Sequence, residues 1–256
     1  MRSAGALGLL ALTATACSGE ASRLGMPEPI SDQAERMLKL WQGSWIAAFA
    51  VGAVVWGLII WAVLFHRKRS DDLPPQVRYN MPIEILYTAV PFVVIGVLFY
   101  FTARDENYVE ETTKNPAVTI DVYGFQWSWQ FDYREKTAGQ EKTVASVVGT
   151  PADPNKPVGT KPVMTIPSGK TVRIRLHAND VIHSFWVPAL LYKKDVMPGY
   201  TNEFEFTANK HGTYEGRCAE LCGVDHSRML FQLKVVPPAE YDKFIADAKL
   251  KAGGAK

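Results

Sequence analysis

Apolar residues crowd together over the first hundred positions of the chain, whereas beyond about residue 116 they alternate with polar ones in short runs. The stretch SWIAAFAVGAVVWGLIIWAVLF, residues 44 to 65, carries no charge and has tryptophans toward its ends. It is long enough to cross the hydrocarbon core of a bilayer as a helix. HRKR follows at 66–69, a basic cluster of the kind retained on the cytoplasmic side. A second apolar run extends from about Ile83 to Ala103 and leaves through the acidic RDENYVEE, which suits the outer side. Together they predict a two-helix transmembrane hairpin over 41–104, with the N-terminus and everything after about residue 104 outside the cytoplasm.

The opening MRSAGALGLLALTATAC is also apolar but too short to span a membrane, and it predicts a secretory signal over residues 1–16. Cys17, directly after Ala14, Thr15 and Ala16, suggests lipoprotein processing, in which it would be acylated and become the new N-terminus. The plainer alternative is ordinary cleavage nearby, with Cys17 lost. Residues 17–40 would then form an extracytoplasmic lead into the first span.

From about Pro116 the period changes, within an extracytoplasmic domain expected over 105–236. Val172, Ile174 and Leu176 alternate with Arg173, Arg175 and His177, the pattern of a half-buried strand. VTIDVYGFQWSWQFDY, NEFEFTANKHGTYEGRC and MLFQLKVV read similarly, so the expected fold is an all-β sandwich or small barrel behind the hairpin. The Gly, Pro, Thr and Lys content of 137–162 predicts a long surface loop, and 237–256 predicts a terminal helix and tail. Basic and acidic residues nearly cancel, 28 against 26, which leaves no cationic surplus for nucleic acid.

The chain has three cysteines and places two of them in RCAELCGVDHSRM, residues 217–229. Outside the cytoplasm the bland reading of Cys218 and Cys222 is a disulfide. His226 and Met229 point elsewhere: two thiolates, an imidazole and a thioether form a soft set suited to copper. A second bridging thiolate suggests two coppers sharing two sulfurs, each needing one histidine. Of the five histidines, His66 lies on the cytoplasmic flank, while His177 and His211 read as surface residues. His183 in NDVIHSFWVP is the better partner for His226, though spacing alone favours it only modestly over His177.

DVIHSFWVP, KKDVMPGYTNEFEF and YEGRCAELCGVDHSRM, in that order after a two-helix hairpin, resemble subunit II of the haem-copper cytochrome c oxidases over about residues 40–236. The resemblance implies a Greek-key cupredoxin domain holding a binuclear copper A centre. In it Cys218 and Cys222 would bridge the coppers and His183 and His226 would cap them. Met229 and the Glu220 carbonyl would be weak axial ligands, with the Glu220 side chain turned to a magnesium ion at the interface with subunit I. It also implies subunits I and III as partners, with oxygen reduced at haem in subunit I and protons translocated. In YGFQWSWQFDY, Trp127 matches the family's point of electron uptake from cytochrome c, although Phe125 and Ser128 depart from its usual histidine and tyrosine. Glu84 matches a glutamate at the mouth of a proton pathway, and it also suits the first turn of a helix that Asn80 could cap.

A soluble basic cytochrome c is usually met by an acidic face. The charge balance here, with YKK at 192–194, favours a membrane-bound c-type cytochrome, in a supercomplex with a cytochrome bc complex. Two competitors stand beside this reading. A membrane-anchored copper chaperone or storage lipoprotein explains the soft ligands but not Glu84 or Trp127. A metal-free quinol-oxidase-type subunit shares the fold but would not need both cysteines, both histidines and Met229.

Overall fold

The computed structural model describes residues 19–73, 75–137, 139–151 and 160–253; Cys17 and the signal-like segment lie outside them. The chain forms two units, a hairpin of residues 39–107 and a globular unit made of the residues before 39 and those after 107.

Helix α1 runs Asp32–Phe65 and α2 runs Met81–Glu110, both long and apolar enough to cross a membrane. At 1.5 Å per residue each exceeds the roughly 30 Å of a hydrocarbon core. Large apolar side chains stand on the hairpin surface, among them Trp56 at 66% and Phe92 at 73% exposure, as a lipid-facing surface requires. Ser31 caps α1 by accepting the Ala34 N–H at its hydroxyl, 3.1 Å. At the start of α2, Glu84 rather than the Asn80 side chain does the capping: its Oε1 accepts the Asn80 backbone N–H at 2.8 Å.

The globular unit is a sandwich of two five-stranded sheets, as the alternation predicts. One sheet has the order β3-β2-β1-β5-β8, from Gln140–Val148, Ser128–Thr137, Val118–Phe125, Thr171–Ala178 and Asn202–Thr207. The other has the order β4-β10-β9-β6-β7, from Val163–Pro167, Leu230–Val236, Gly212–Cys218, His183–Val187 and Tyr192–Val196. Strands β1 and β5 run parallel, as do β4 and β10, so the chain crosses between sheets instead of meandering. Val172, Ile174 and Leu176 of β5 share one core with Phe231, Leu233 and Val235 of β10, while Arg173, Arg175 and His177 stay on the outer side. Aromatic rings fill its centre, with Trp129 meeting Phe231 edge-on at 5.4 Å between centroids. Helix α3, Pro238–Gly253, closes one end by setting Phe244 against Tyr133 at 5.3 Å.

Two features depart from the sequence reading. Part of the long loop expected over 137–162 is strand: residues 140–148 form β3, which pairs with β2 from Thr137↔Gln140 to Gln130↔Val148. It is a mostly exposed edge strand with only Ala145 buried, so its composition resembles a loop. The segment before α1 is also no mere lead. Ile30 and Ser31 are buried in the globular unit, tied by Ile30 N–H to the Ala189 carbonyl at 3.2 Å and by Asn209 N–H to the Ile30 carbonyl at 2.8 Å.

Candidate metal centre

The pairing of β6 with β9 builds the site. Phe185 lies opposite Cys218, so His183, two residues earlier on β6, reaches toward the loop that leaves β9. That loop carries Cys222, then a single 3₁₀ turn, His226–Arg228, and Met229 at the head of β10. The turn is held by the Cys218 N–H donating to the Met229 carbonyl at 3.1 Å and by Asp225 pairing with Arg228 at 3.0 Å.

Five donors and a carbonyl converge here. The sulfurs of Cys218 and Cys222 lie 3.8 Å apart, nearly twice the length of a disulfide bond, so they are separate thiols. Cys218 Sγ is 3.9 Å from His183 Nδ1, and Cys222 Sγ is 3.6 Å from His226 Nδ1. The Met229 thioether is 3.8 Å from Cys222 Sγ, and the Glu220 carbonyl is 3.2 Å from Cys218 Sγ. His183 and Met229 are fully buried, and the two cysteines are each 4% exposed. The ligand atoms of His183, Cys218 and Cys222 all lie within 4.8 Å of one another, close enough to hold a single ion together.

The electrostatics suit a cation. Burial opposes ionisation of Cys218, but hydrogen bonds to His183 and to backbone groups outweigh it, and its pKa is pushed down to about 7. Burial and then the neighbouring Cys218 charge push Cys222 up to about 12. Two thiols this close share one negative charge until a positive ion compensates the second. Burial works against charge on His183, yet its contacts with Cys218 and Asp180 raise its pKa above the ordinary imidazole value.

Asp180 is the site residue that sequence reasoning missed. Its Oδ1 meets His183 Nε2 at 2.8 Å, leaving Nδ1 to face the sulfurs. An acid three positions before a candidate ligand histidine was the available signal, since a carboxylate commonly fixes the ring of a metal-bound imidazole. His177 is not brought to the site: its Nδ1 contacts Thr201 Oγ1 at 3.2 Å and its ring stacks on Tyr123. His211 meets Ser168 instead, at 2.8 Å.

Trp127 sits against the ligand loop. Its indole N–H donates to the Cys222 carbonyl at 3.2 Å, and the Gln126 amide donates to the same oxygen at 2.8 Å. The contact requires Gly223, whose φ is +126° and where a Cβ would lie 3.0 Å from the Trp127 nitrogen. Gly124 gives His183 similar room, since a Cβ there would approach its ring to 3.1 Å. Glu220 is exposed, its carboxylate without a hydrogen bond or ion pair among the described residues, and Glu84 belongs to the hairpin unit.

A β-sandwich joined to membrane-spanning helices, with paired thiolates, two imidazoles and a thioether at one end, defines a membrane-anchored cupredoxin built for a soft metal centre. The family model for the periplasmic domain of cytochrome c oxidase subunit II matches residues 118–236. A probable cytochrome c oxidase subunit 2 of Streptomyces avermitilis is 49% identical over 271 residues, covering 95% of this chain and 85% of the relative. The cytochrome c oxidase subunit 2 of Mycobacterium tuberculosis is 37% identical over 286 residues, covering 93% of this chain and 79% of the relative. Among solved structures, the periplasmic domain of subunit II of cytochrome oxidase (CoxB) of Bradyrhizobium japonicum aligns with a TM-score of 0.45 at 32% identity, covering 55% of this chain and 99% of that one. The chain belongs to the cytochrome c oxidase subunit II family.

Proposed function

We propose that this chain takes single electrons from a c-type cytochrome outside the cytoplasm and hands them to haem in subunit I, where oxygen is reduced and protons are moved. The observation that carries the reading is the pair of thiols 3.8 Å apart, each flanked by an imidazole Nδ1. His183, Cys218, Cys222, His226, Met229 and the Glu220 carbonyl would hold a binuclear copper A centre. Copper held there supplies a one-electron couple shared over two ions.

The chain's own part is to hold that set rigid. Strand pairing fixes His183 and Cys218, the 3₁₀ turn fixes His226, and Asp180 fixes the His183 ring. A ligand set that barely moves on electron exchange keeps the reorganisation cost low. Trp127, bonded to the Cys222 carbonyl, is the proposed point of uptake from the cytochrome. The exposed Glu220 carboxylate is a suitable hard ligand for magnesium at the contact with subunit I. Subunit III is a further partner in this assembly.

Glu84 is assigned to the mouth of a proton path, a role compatible with its bond to Asn80. Glu84→Gln lowering turnover while copper spectra and assembly stay intact supports that role; unchanged turnover removes it. HRKR at 66–69 supports an orientation with the hairpin loop in the cytoplasm of a bacterial cell and the sandwich outside, and Cys17 is the proposed lipidation site. The near-neutral charge favours a membrane-bound donor within a supercomplex containing a cytochrome bc complex; a steep fall of turnover with salt overturns that.

Metal analysis and electron paramagnetic resonance on the purified oxidase test the centre. Two coppers per chain with one unpaired electron spread over both nuclei is the expected result. Labile copper(I) with no such signal returns the copper-chaperone reading, and a Cys218–Cys222 disulfide with no copper returns the metal-free one.

A further inference from the structure

The hairpin has a cavity that the electron-transfer function leaves unused. Lys39, Leu40, Gly43, Ser44 and Ala47 of α1 face Val97, Leu98, Phe101, Arg104 and Asp105 of α2 across a space of about 310 Å³. Gly43 and Ala47, four positions apart, are small residues of the kind that let membrane helices touch closely, yet here a groove remains. Its wall is apolar: the one hydroxyl, Ser44 Oγ, is already spent on the Leu40 carbonyl at 2.8 Å.

Charge gathers only at the end where the chain enters and leaves the hairpin. Arg104 pairs with the buried Asp105 at 2.8 Å and lies over the Phe101 ring, 4.8 Å from its centroid. Lys39 is exposed and makes no ion pair among the described residues, so its ammonium at the mouth is free to meet an anion. Trp41 and Trp45 pack edge to face beside it at 5.6 Å, and tryptophans of this kind mark the headgroup level of a bilayer. Ala47 lies eight positions from Lys39 and Val97 seven from Arg104, so the groove runs roughly 10–12 Å inward from the cations along both helices.

We infer that this groove binds one anionic phospholipid, its phosphate against Lys39 and Arg104 and an acyl chain along Gly43, Ala47, Val97 and Leu98. An apolar side chain from a neighbouring subunit would fill the apolar part but leave Lys39 without a counter-charge, and a zwitterionic lipid, its phosphate offset by its own ammonium, would bring no net negative charge to it. The inference rests on the membrane hairpin and not on the metal centre, so the two stand or fall separately.

The test uses the purified oxidase, stripped of lipid in detergent, reloaded with phosphatidylglycerol or with phosphatidylcholine, and weighed intact by native mass spectrometry. Subunit composition and copper content serve as controls for assembly. The intact oxidase is expected to retain one more phosphatidylglycerol than Ala47→Leu, which fills the groove. Lys39→Gln, an exposed change, should weaken retention about fivefold, the effect of one basic residue near a lipid surface. Equal lipid counts in all three proteins overturn the inference. So does equal retention of the two lipids by the intact oxidase, or a photo-crosslinker at position 47 that reaches another subunit and no lipid.

Discussion

Asp180 ties the buried ligand-side histidine to the turn that carries Trp127: one carboxylate oxygen meets His183 Nε2 at 2.8 Å and the other accepts the Gln126 backbone N–H at 2.7 Å. Ring orientation at the centre and position of the half-buried Trp127 are thereby fixed by a single side chain. Burial disfavours its charge, but the bonds from His183, Gln126 and Val181 hold its pKa below the usual carboxylate range.

Asp180→Ala removes both restraints. Loss of a carboxylate that orients a ligand histidine typically costs about 10–100-fold in metal affinity. Chelator competition on the purified oxidase should show a loss of that order, whereas Asp180→Asn, which keeps an acceptor, should lose less. Equal affinity in all three proteins would mean the contact is incidental.

Met229 is fully buried with its sulfur 3.8 Å from Cys222. Met229→Leu conserves volume, so unfolding should change by less than about 1.5 kcal/mol. Removing the thioether should nevertheless shift the reduction potential and alter the paramagnetic spectrum, because a weak axial ligand tunes such a site. A spectrum and potential identical to the parent's would exclude Met229 from the ligand set.

Gly223→Ala forces a Cβ into a φ of +126° and toward the Trp127 indole at 3.0 Å. The backbone strain alone is worth about 1–3 kcal/mol. Stopped-flow reduction by the donor cytochrome should slow, as it should for Trp127→Phe, with little change in copper content. A variant that is reduced at the parent's rate would separate Trp127 from electron uptake.

Ile30 is 1% exposed in the core of the globular unit although it precedes the first membrane helix. Ile30→Ala should destabilise that unit by about 2–5 kcal/mol, the range for emptying a core position. Chemical denaturation monitored by tryptophan fluorescence measures it. The same packing means that a soluble fragment starting near residue 105 lacks a core residue, and it should unfold at lower denaturant than one to which residues 26–34 are supplied.

Glu215 accepts hydrogen bonds from Gln232 and Lys161, both at 2.9 Å, and these hold its carboxyl below the usual range. A depressed folded-state pKa contributes stability above the unfolded value of about 4.3, and that contribution disappears as pH falls through the folded pKa. Because the pair is largely exposed, its worth is at most about 0.5 kcal/mol. Glu215→Gln should therefore lower Tm slightly at pH 7 and not at all near pH 2; a difference that persisted in acid would need another cause.

Much of this protein was legible because its signals are local. Hydrophobic run length identified the two helices, period-two alternation identified strands of the sandwich, and four of the proposed metal donors lie within twelve residues, 218 to 229, where residue type and spacing suggest a soft site. Tertiary structure decided what depends on residues far apart in the chain. His183 rather than His177 reaches the sulfurs because β6 pairs with β9, whereas β5 turns His177 outward toward Tyr123 and Thr201. Strand β3 looks like loop because an edge strand buries almost nothing, and the 28–34 segment looks like a tether because its burial comes from partners near 189 and 208. Composition and period report what a residue prefers beside its immediate neighbours; only closure of the sandwich determines which distant residues become neighbours.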